Sequence, residues 1–165
     1  MTIGVLKEPP FETRVSLLPE AVALLTAKGH LVLVESGAGE LAFATDDQYS
    51  TAGAKMVSRK DIFSATVLLS IQAPADPPES MAKGAILIGV FQPLFNIDTM
   101  RTWAAAGITC FSLDMLPRTT RAQTMDVLSS QANIAGYKAV LLAAYTYSRY
   151  FPMFMTAAGS IPPAK

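Results

Sequence analysis

Residues 85–113 read AILIGVFQPLFNIDTMRTWAAAGITCFSL. This stretch begins with an uncharged run, Ala85–Val90, and ends with another, Ile108–Leu113. Each run has the length and the apolar character of a strand that is buried on both faces. Between them, Asn96 can cap a helix that ends near Ala106. Strand, helix and strand in this order predict a βαβ unit with two parallel strands.

Three further uncharged runs lie before this unit, and we predict each to be a buried strand: Ile3–Val5, Leu31–Val34 and Val67–Ile71. Pro19, which is tolerated in a first helical turn, and Gly29, a common helix terminator, indicate a helix between the first two strands. We therefore predict an α/β fold of three layers, with a mostly parallel, Rossmann-like or flavodoxin-like sheet between two layers of helices.

The C-terminal part departs from this alternation. Residues 124–151 contain few helix breakers and predict one long helix. The tail that follows, Pro152–Lys165, contains Pro162 and Pro163 after a glycine and a serine, which indicates a connector. We therefore divide the chain into an α/β domain, residues 1–150, and a connector, residues 151–165.

The composition excludes several classes of protein. The formal net charge is zero, so no basic excess favours a nucleic-acid-binding protein. No stretch reaches the roughly 18 uncharged apolar residues that are needed to cross a bilayer. The only cysteine, Cys110, is interpreted as a small buried apolar residue, and the only histidine, His30, as a structural residue in a turn. A zinc site built from several cysteines or histidines is therefore not expected.

The charged share of the chain, 16%, lies below the roughly 25% that is usual for a soluble domain. This suggests that another domain or subunit covers part of the surface.

The main candidate site lies between the last predicted strand and the long helix, in residues 117–131. Arginine and glutamine side chains there can bind a carboxylate, a phosphate or a carboxamide, and a helix N-terminus adds free N–H groups. An Asp and a Ser three residues apart share one face of the helix. The candidate residues are Arg118, Arg121, Gln123, Asp126 and Ser129. A capped helix start with solvated arginines and a local ion pair explains the same residues equally well.

Two other stretches are weaker candidates. Residues 7–16, with two basic and two acidic side chains, follow the first strand, where a ligand crevice of an α/β sheet would lie. A solvated loop with local ion pairs is the alternative. Gly37 and Gly39 form a Gly-x-Gly after the second strand, but the third glycine of a dinucleotide-binding loop is missing. We interpret that stretch as a turn.

The chain resembles the alanine dehydrogenase/transhydrogenase superfamily at its start, in residues 3–8, 12–15 and 34–39. Residues 117–137, together with 156–159 and 162–165, are similar to the N-terminal part of the alpha subunit of proton-translocating NAD(P) transhydrogenases specifically. The resemblance covers essentially the whole chain.

The resemblance implies a function and a set of contacts. In that family the loop corresponding to residues 117–129 contacts the nicotinamide end of NAD(H), so Arg118, Gln123, Asp126 and Ser129 would hold the carboxamide and nearby groups, with Arg121 in the same loop. Hydride would pass from NADH to NADP(H) on a partner domain, coupled to proton flow. No catalytic acid or base and no metal is implied, since the cofactors carry the chemistry.

The resemblance also implies partners and a place in the cell. The partners would be the NADP(H)-binding and membrane domains or subunits of one complex, with a homodimer of the full-length protein. The complex would lie on the cytoplasmic or matrix side of an energy-coupling membrane, where this chain is peripheral. The family continues with a strand and a Gly-rich Rossmann lobe, so we expect residues 151–165 to lead to that lobe and this chain alone to be inactive.

Two alternatives remain. An alanine-dehydrogenase-like enzyme would need a lysine and a histidine, but Gln72 and Gln92 stand at about those positions, and glutamine does not transfer protons near neutral pH. Arg14 matches both groups and does not discriminate between them. The second alternative is a non-catalytic domain that docks on partner subunits.

Overall fold

The computed structural model describes residues 1–163, and the connector predicted for residues 151–165 lies partly outside the described residues, at 164 and 165. The described chain divides into two compact units, Met1–Met125 and a second unit that begins at Asp126. The strands are β1 Thr2–Val5, β2 Leu31–Glu35, β3 Lys55–Val57, β4 Val67–Leu69, β5 Ile86–Gly89, β6 Thr109–Ser112, β7 Phe154–Thr156 and β8 Gly159–Ile161. The α-helices are α1 Pro19–Ala27, α2 Asp46–Thr51, α3 Arg59–Ile62, α4 Ile97–Ala105 and α5 Val127–Thr146.

The first unit is built on a six-stranded parallel sheet with the order β3-β2-β1-β4-β5-β6. The chain moves outward from β1 to β3 and then returns to place β4 on the other side of β1. The strand order therefore reverses between β1 and β4, and this point is the usual ligand crevice of an open α/β sheet. The predicted parallel α/β architecture and its five predicted strands are confirmed.

Helices cover both faces of this sheet. On β2, the side chain of Leu33 joins one buried cluster with Ile62 of α3 and Trp103 of α4. Its neighbours Val32 and Val34 join the other cluster, with Val22 of α1 and Tyr49 of α2. This alternation along one strand puts the two clusters on opposite faces of the sheet, because successive side chains of a strand point to opposite sides. The prediction of three layers is confirmed.

Three short elements were not predicted: β3, α2 and α3. The sequence signal for α2 is a capping box, in which the Thr45 hydroxyl accepts from the N–H of Gln48 and the Gln48 side chain accepts from the N–H of Thr45. Asn96 does precede α4 as predicted, but its side chain donates to the carbonyl of Phe91 instead of capping the helix. Cys110 is half-buried against the core and not fully buried.

The second unit contains α5 and the antiparallel pair β7–β8. The helix predicted over residues 124–151 is observed but is shorter, because residues 122–125 form a 3-10 turn and the backbone is extended at Tyr147. Pro152 also disfavours helical backbone at the residue before it. The tail predicted as a connector contains the hairpin of residues 154–161. No helix within residues 1–163 is long and apolar enough to span a membrane.

Candidate functional site

The crevice between β1 and β4 is occupied by the chain's own carboxylates. Glu8 follows β1 and is buried, and its two carboxylate oxygens accept from the N–H groups of Ile71 at 2.6 Å and Gln72 at 3.0 Å, just after β4. Burial raises the pKa of the Glu8 carboxyl, and these two N–H donors oppose that rise. The backbone donors that a bound anion would use at this crevice are therefore already bound to Glu8.

A second buried carboxylate lies in the same loop. Glu12 pairs with the Arg14 guanidinium at 2.8 Å and 2.7 Å, and it also accepts from the side-chain amide of Gln72 at 3.2 Å. The hydrogen bonds from Arg14 lower the pKa of Glu12 to about 2. This geometry agrees with the alternative interpretation of residues 7–16, a loop held by local ion pairs.

An ion-pair network that was not predicted continues along this edge of the sheet. Arg59 of α3 binds Glu35 at the end of β2 at 2.7 Å, Asp76 at 2.5 Å and the carbonyl of Lys7 at 3.1 Å. Its guanidinium also lies 5.3 Å from the ring centre of Phe63. No local pattern predicts this network, because its charges come from segments that are far apart along the chain.

The Gly37–Gly39 stretch forms a turn, as interpreted. The N–H of Gly37 donates to the Asp46 carboxylate at 2.9 Å, so the turn is tied to the start of α2 and not to a ligand. A Cβ on Gly39 would lie 2.4 Å from the carbonyl oxygen of Ala44, which explains the second glycine by close packing.

The two glutamines end neighbouring strands. Gln72 follows β4 and lies in the occupied crevice described above. Gln92 follows β5, is exposed and has a positive φ of 48°, with its carbonyl accepting from Phe95 and Asn96. Neither side chain can exchange a proton near neutral pH, so the crevice has no acid or base at these positions.

The main candidate loop follows β6 and has a different character. Within residues 117–125, Arg118, Arg121 and Gln123 are exposed, and neither guanidinium forms an ion pair within the first unit. The carbonyl of Thr119 accepts from the N–H of Ala122 at 3.0 Å and of Gln123 at 3.2 Å. Ala122 is buried and anchors the loop. The backbone of this loop is therefore fixed while its long polar side chains stay exposed.

The other two candidate residues lie in the second unit. Asp126 is the N-cap of α5, and its carboxylate accepts from the N–H of Ser129 at 3.0 Å and from the Ser129 hydroxyl at 2.6 Å. The structure thus brings Asp126 and Ser129 into direct contact, and the capped helix start that was the alternative is present. A cap fixes the position of the carboxylate and does not exclude a ligand role for it.

A metal has no counterpart in these arrangements. Among residues 1–163, no group of three or more histidine, cysteine, aspartate or glutamate side chains could hold a metal ion. The donors of the loop, two guanidiniums and a carboxamide, suit an anion or an amide group and not a cation.

Comparison with known proteins identifies the family. The sequence model described as "Alanine dehydrogenase/PNT, N-terminal domain" matches residues 4–135. The chain is 40% identical, over its whole length, to the first portion of the NAD(P) transhydrogenase alpha subunit of Rhodospirillum rubrum, of which it covers 45%. It is 29% identical over 92% of its length to an alanine dehydrogenase of Mycolicibacterium smegmatis, of which it covers 41%.

A solved structure gives the same result. The crystal structure of a transhydrogenase from Sinorhizobium meliloti superimposes with a TM-score of 0.91 and 42% sequence identity, covering 99% of this chain and 50% of that one. The chain thus spans about half the length of the relatives that it matches, and it is more similar to these transhydrogenases than to the alanine dehydrogenase. The chain belongs to the family of alanine dehydrogenase/PNT N-terminal domains.

Proposed function

We propose that this chain is the N-terminal lobe of the NAD(H)-binding component of a transhydrogenase, which passes hydride between NADH and NADP(H) and couples the transfer to proton translocation. One observation carries the proposal: the loop of residues 117–125 offers exposed polar side chains that form no ion pair within the first unit, whereas the crevice at the strand reversal is filled by the chain's own ion pairs. The similarity to transhydrogenase alpha subunits supports it.

The side chains of the loop suit the nicotinamide end of the cofactor. The carboxamide of Gln123 can both donate to and accept from the nicotinamide carboxamide, and Arg118 and Arg121 supply forked donors for nearby oxygens. Asp126, held by Ser129, supplies a fixed acceptor. Hydride transfer itself is the chemistry of the bound dinucleotides, so these residues bind and orient and need not exchange protons.

The proposal includes the parts that lie outside this chain. Residues 151–165 would lead to a Rossmann lobe that binds the rest of NAD(H), and NADP(H) would bind to a partner domain. The NADP(H)-binding and membrane domains of the complex and a second copy of the full-length protein are its partners. The lobe would be peripheral, on the cytoplasmic or matrix side of the membrane.

The proposal is tested by the hydride-transfer rate of the full-length protein. Arg118→Ala should lower the rate on the order of 100-fold without lowering the melting temperature, because a displacement near 1 Å of a reacting ring has that cost. Arg101→Ala, which removes an exposed arginine on α4, is the matched control and should leave the rate unchanged. Wild-type turnover in Arg118→Ala would refute the role of the loop.

The same preparation tests the alanine dehydrogenase alternative. Oxidation of alanine with NAD⁺ should be absent, because Gln72 and Gln92 supply no titratable group. Alanine turnover at a rate comparable to hydride transfer between nucleotides would replace the proposal with that alternative.

A further inference from the structure

The hairpin β7–β8 is an incomplete piece of sheet. Its two strands are three residues each, paired with Phe154 opposite Ile161 and Thr156 opposite Gly159. The Thr156 hydroxyl stabilises the turn by donating to the carbonyl of Gly159 at 3.1 Å. A two-stranded hairpin of this length is at best marginally stable in water without further strands or a packing partner.

Large apolar side chains around this hairpin are exposed. The hydrophobic patch consists of Tyr145, Tyr150, Phe151, Met153, Phe154 and Met155, of which Tyr145 is 91% and Met155 76% exposed. Two aromatic stacks fix its shape: Tyr150 on Phe154 at 5.0 Å and Tyr147 on Phe151 at 5.7 Å. Aromatic and methionine side chains are enriched in the buried centres of protein interfaces.

We propose that this hydrophobic patch and the edge of the hairpin form the contact between two copies of the protein. The inference deepens the homodimer of the proposed function and rests on it. Two copies would meet about a two-fold axis with the same patch on both sides, and pairing of strand edges would extend the two-stranded sheet.

The charge pattern favours a second copy. Residues 150–163 contain no charged side chain, and Arg149 is the only one between residues 139 and 163. Identical surfaces carry identical charges, so a self-associating patch must be nearly neutral to avoid repulsion. Exposed strand edges are normally protected by charges or prolines, and β7 and β8 contain neither within their bounds.

The area is also of the right size. At roughly 200 Å² for a whole large side chain, the exposed parts of the six side chains of the patch offer on the order of 700 Å² per copy. Each partner in a standard stable interface contributes about 800 Å², so the patch and the hairpin edge together suffice.

The test is the mass of the full-length protein in solution, measured by sedimentation velocity. Wild type should be a dimer, and Met155→Lys should weaken dimerisation at least 100-fold, because it brings two like charges into the contact. Met155→Ala should weaken it about 10-fold and shows the same direction without a buried charge. Leu24→Lys, at an exposed leucine of α1, is the matched control and should remain dimeric.

Three results would overturn the inference. The wild-type protein could be monomeric. Met155→Lys could stay as dimeric as wild type. Met155→Lys could instead lower the melting temperature with its mass unchanged, which would mean that a later part of the same polypeptide covers the hairpin. A dimeric wild type that fails to transfer hydride between nucleotides would refute the proposed function and leave this inference standing.

Discussion

The crevice between β1 and β4 and the loop of residues 117–125 both lie just beyond carboxyl ends of strands, but they treat their polar groups differently. In the crevice, Glu8, Glu12 and Arg59 each have several partners within the chain. In the loop, Arg118 and Arg121 form no ion pair within the first unit. Because a ligand must compete with internal partners for donors, the difference indicates that the crevice holds the fold together and the loop is available for binding.

The largest effect is expected from Arg59→Ala, which removes the centre of the crevice network. The variant leaves the buried carboxylate of Glu35 without its cation, and removing one partner of such a pair costs about 3 kcal/mol. Urea unfolding should show this loss. Arg101→Ala, which breaks an exposed pair with Asp98, should cost less than about 0.5 kcal/mol. Equal losses in the two variants would contradict a structural role for the crevice.

The sequence predicted the sheet and the main candidate loop but not the crevice network. The five apolar strands and helices α1, α4 and α5 have periodic patterns that need no tertiary information. β3 and α3 are three and four residues long, too short for such a pattern to appear. Arg59, Glu35 and Asp76 meet only through the strand order, and no local signal in the sequence encodes that order.

The loop should respond oppositely, with large effects on activity and small effects on stability. Asp126→Asn preserves an acceptor for the Ser129 N–H, so the free energy of unfolding should change by less than about 0.5 kcal/mol. The hydride-transfer rate of the full-length protein should fall by up to about 100-fold through misplacement of the ring. Asp126→Ala should, in addition, lose about 1 kcal/mol of stability with the cap. An Asn variant with a full rate would leave Asp126 as a helix cap alone.

The acid dependence of stability sharpens the contrast from the side of the crevice. The pKa of Glu12 falls from 4.5 to about 2 on folding, so its ionised form stabilises the fold above pH 4.5, and this contribution is lost as the pH falls towards 2. Arg14 is partly exposed, so solvent screening reduces the contribution to about 2 kcal/mol.

Unfolding measured between pH 5 and 2 should therefore show a smaller loss of stability in Glu12→Gln than in wild type. Glu79→Gln, at an exposed glutamate, is the matched control and should follow wild type. Parallel curves for Glu12→Gln and wild type would mean that the pair with Arg14 contributes nothing to the fold.

The central claim, that the loop and not the crevice contacts NAD(H), is tested most directly by an NADH titration of the full-length protein, followed by fluorescence. We predict that Arg118→Ala raises the Kd at least about 10-fold, a loss of about 1.4 kcal/mol, and that Glu12→Gln leaves the Kd unchanged. An unchanged Kd in Arg118→Ala together with a raised Kd in Glu12→Gln would contradict the claim and place the cofactor in the crevice.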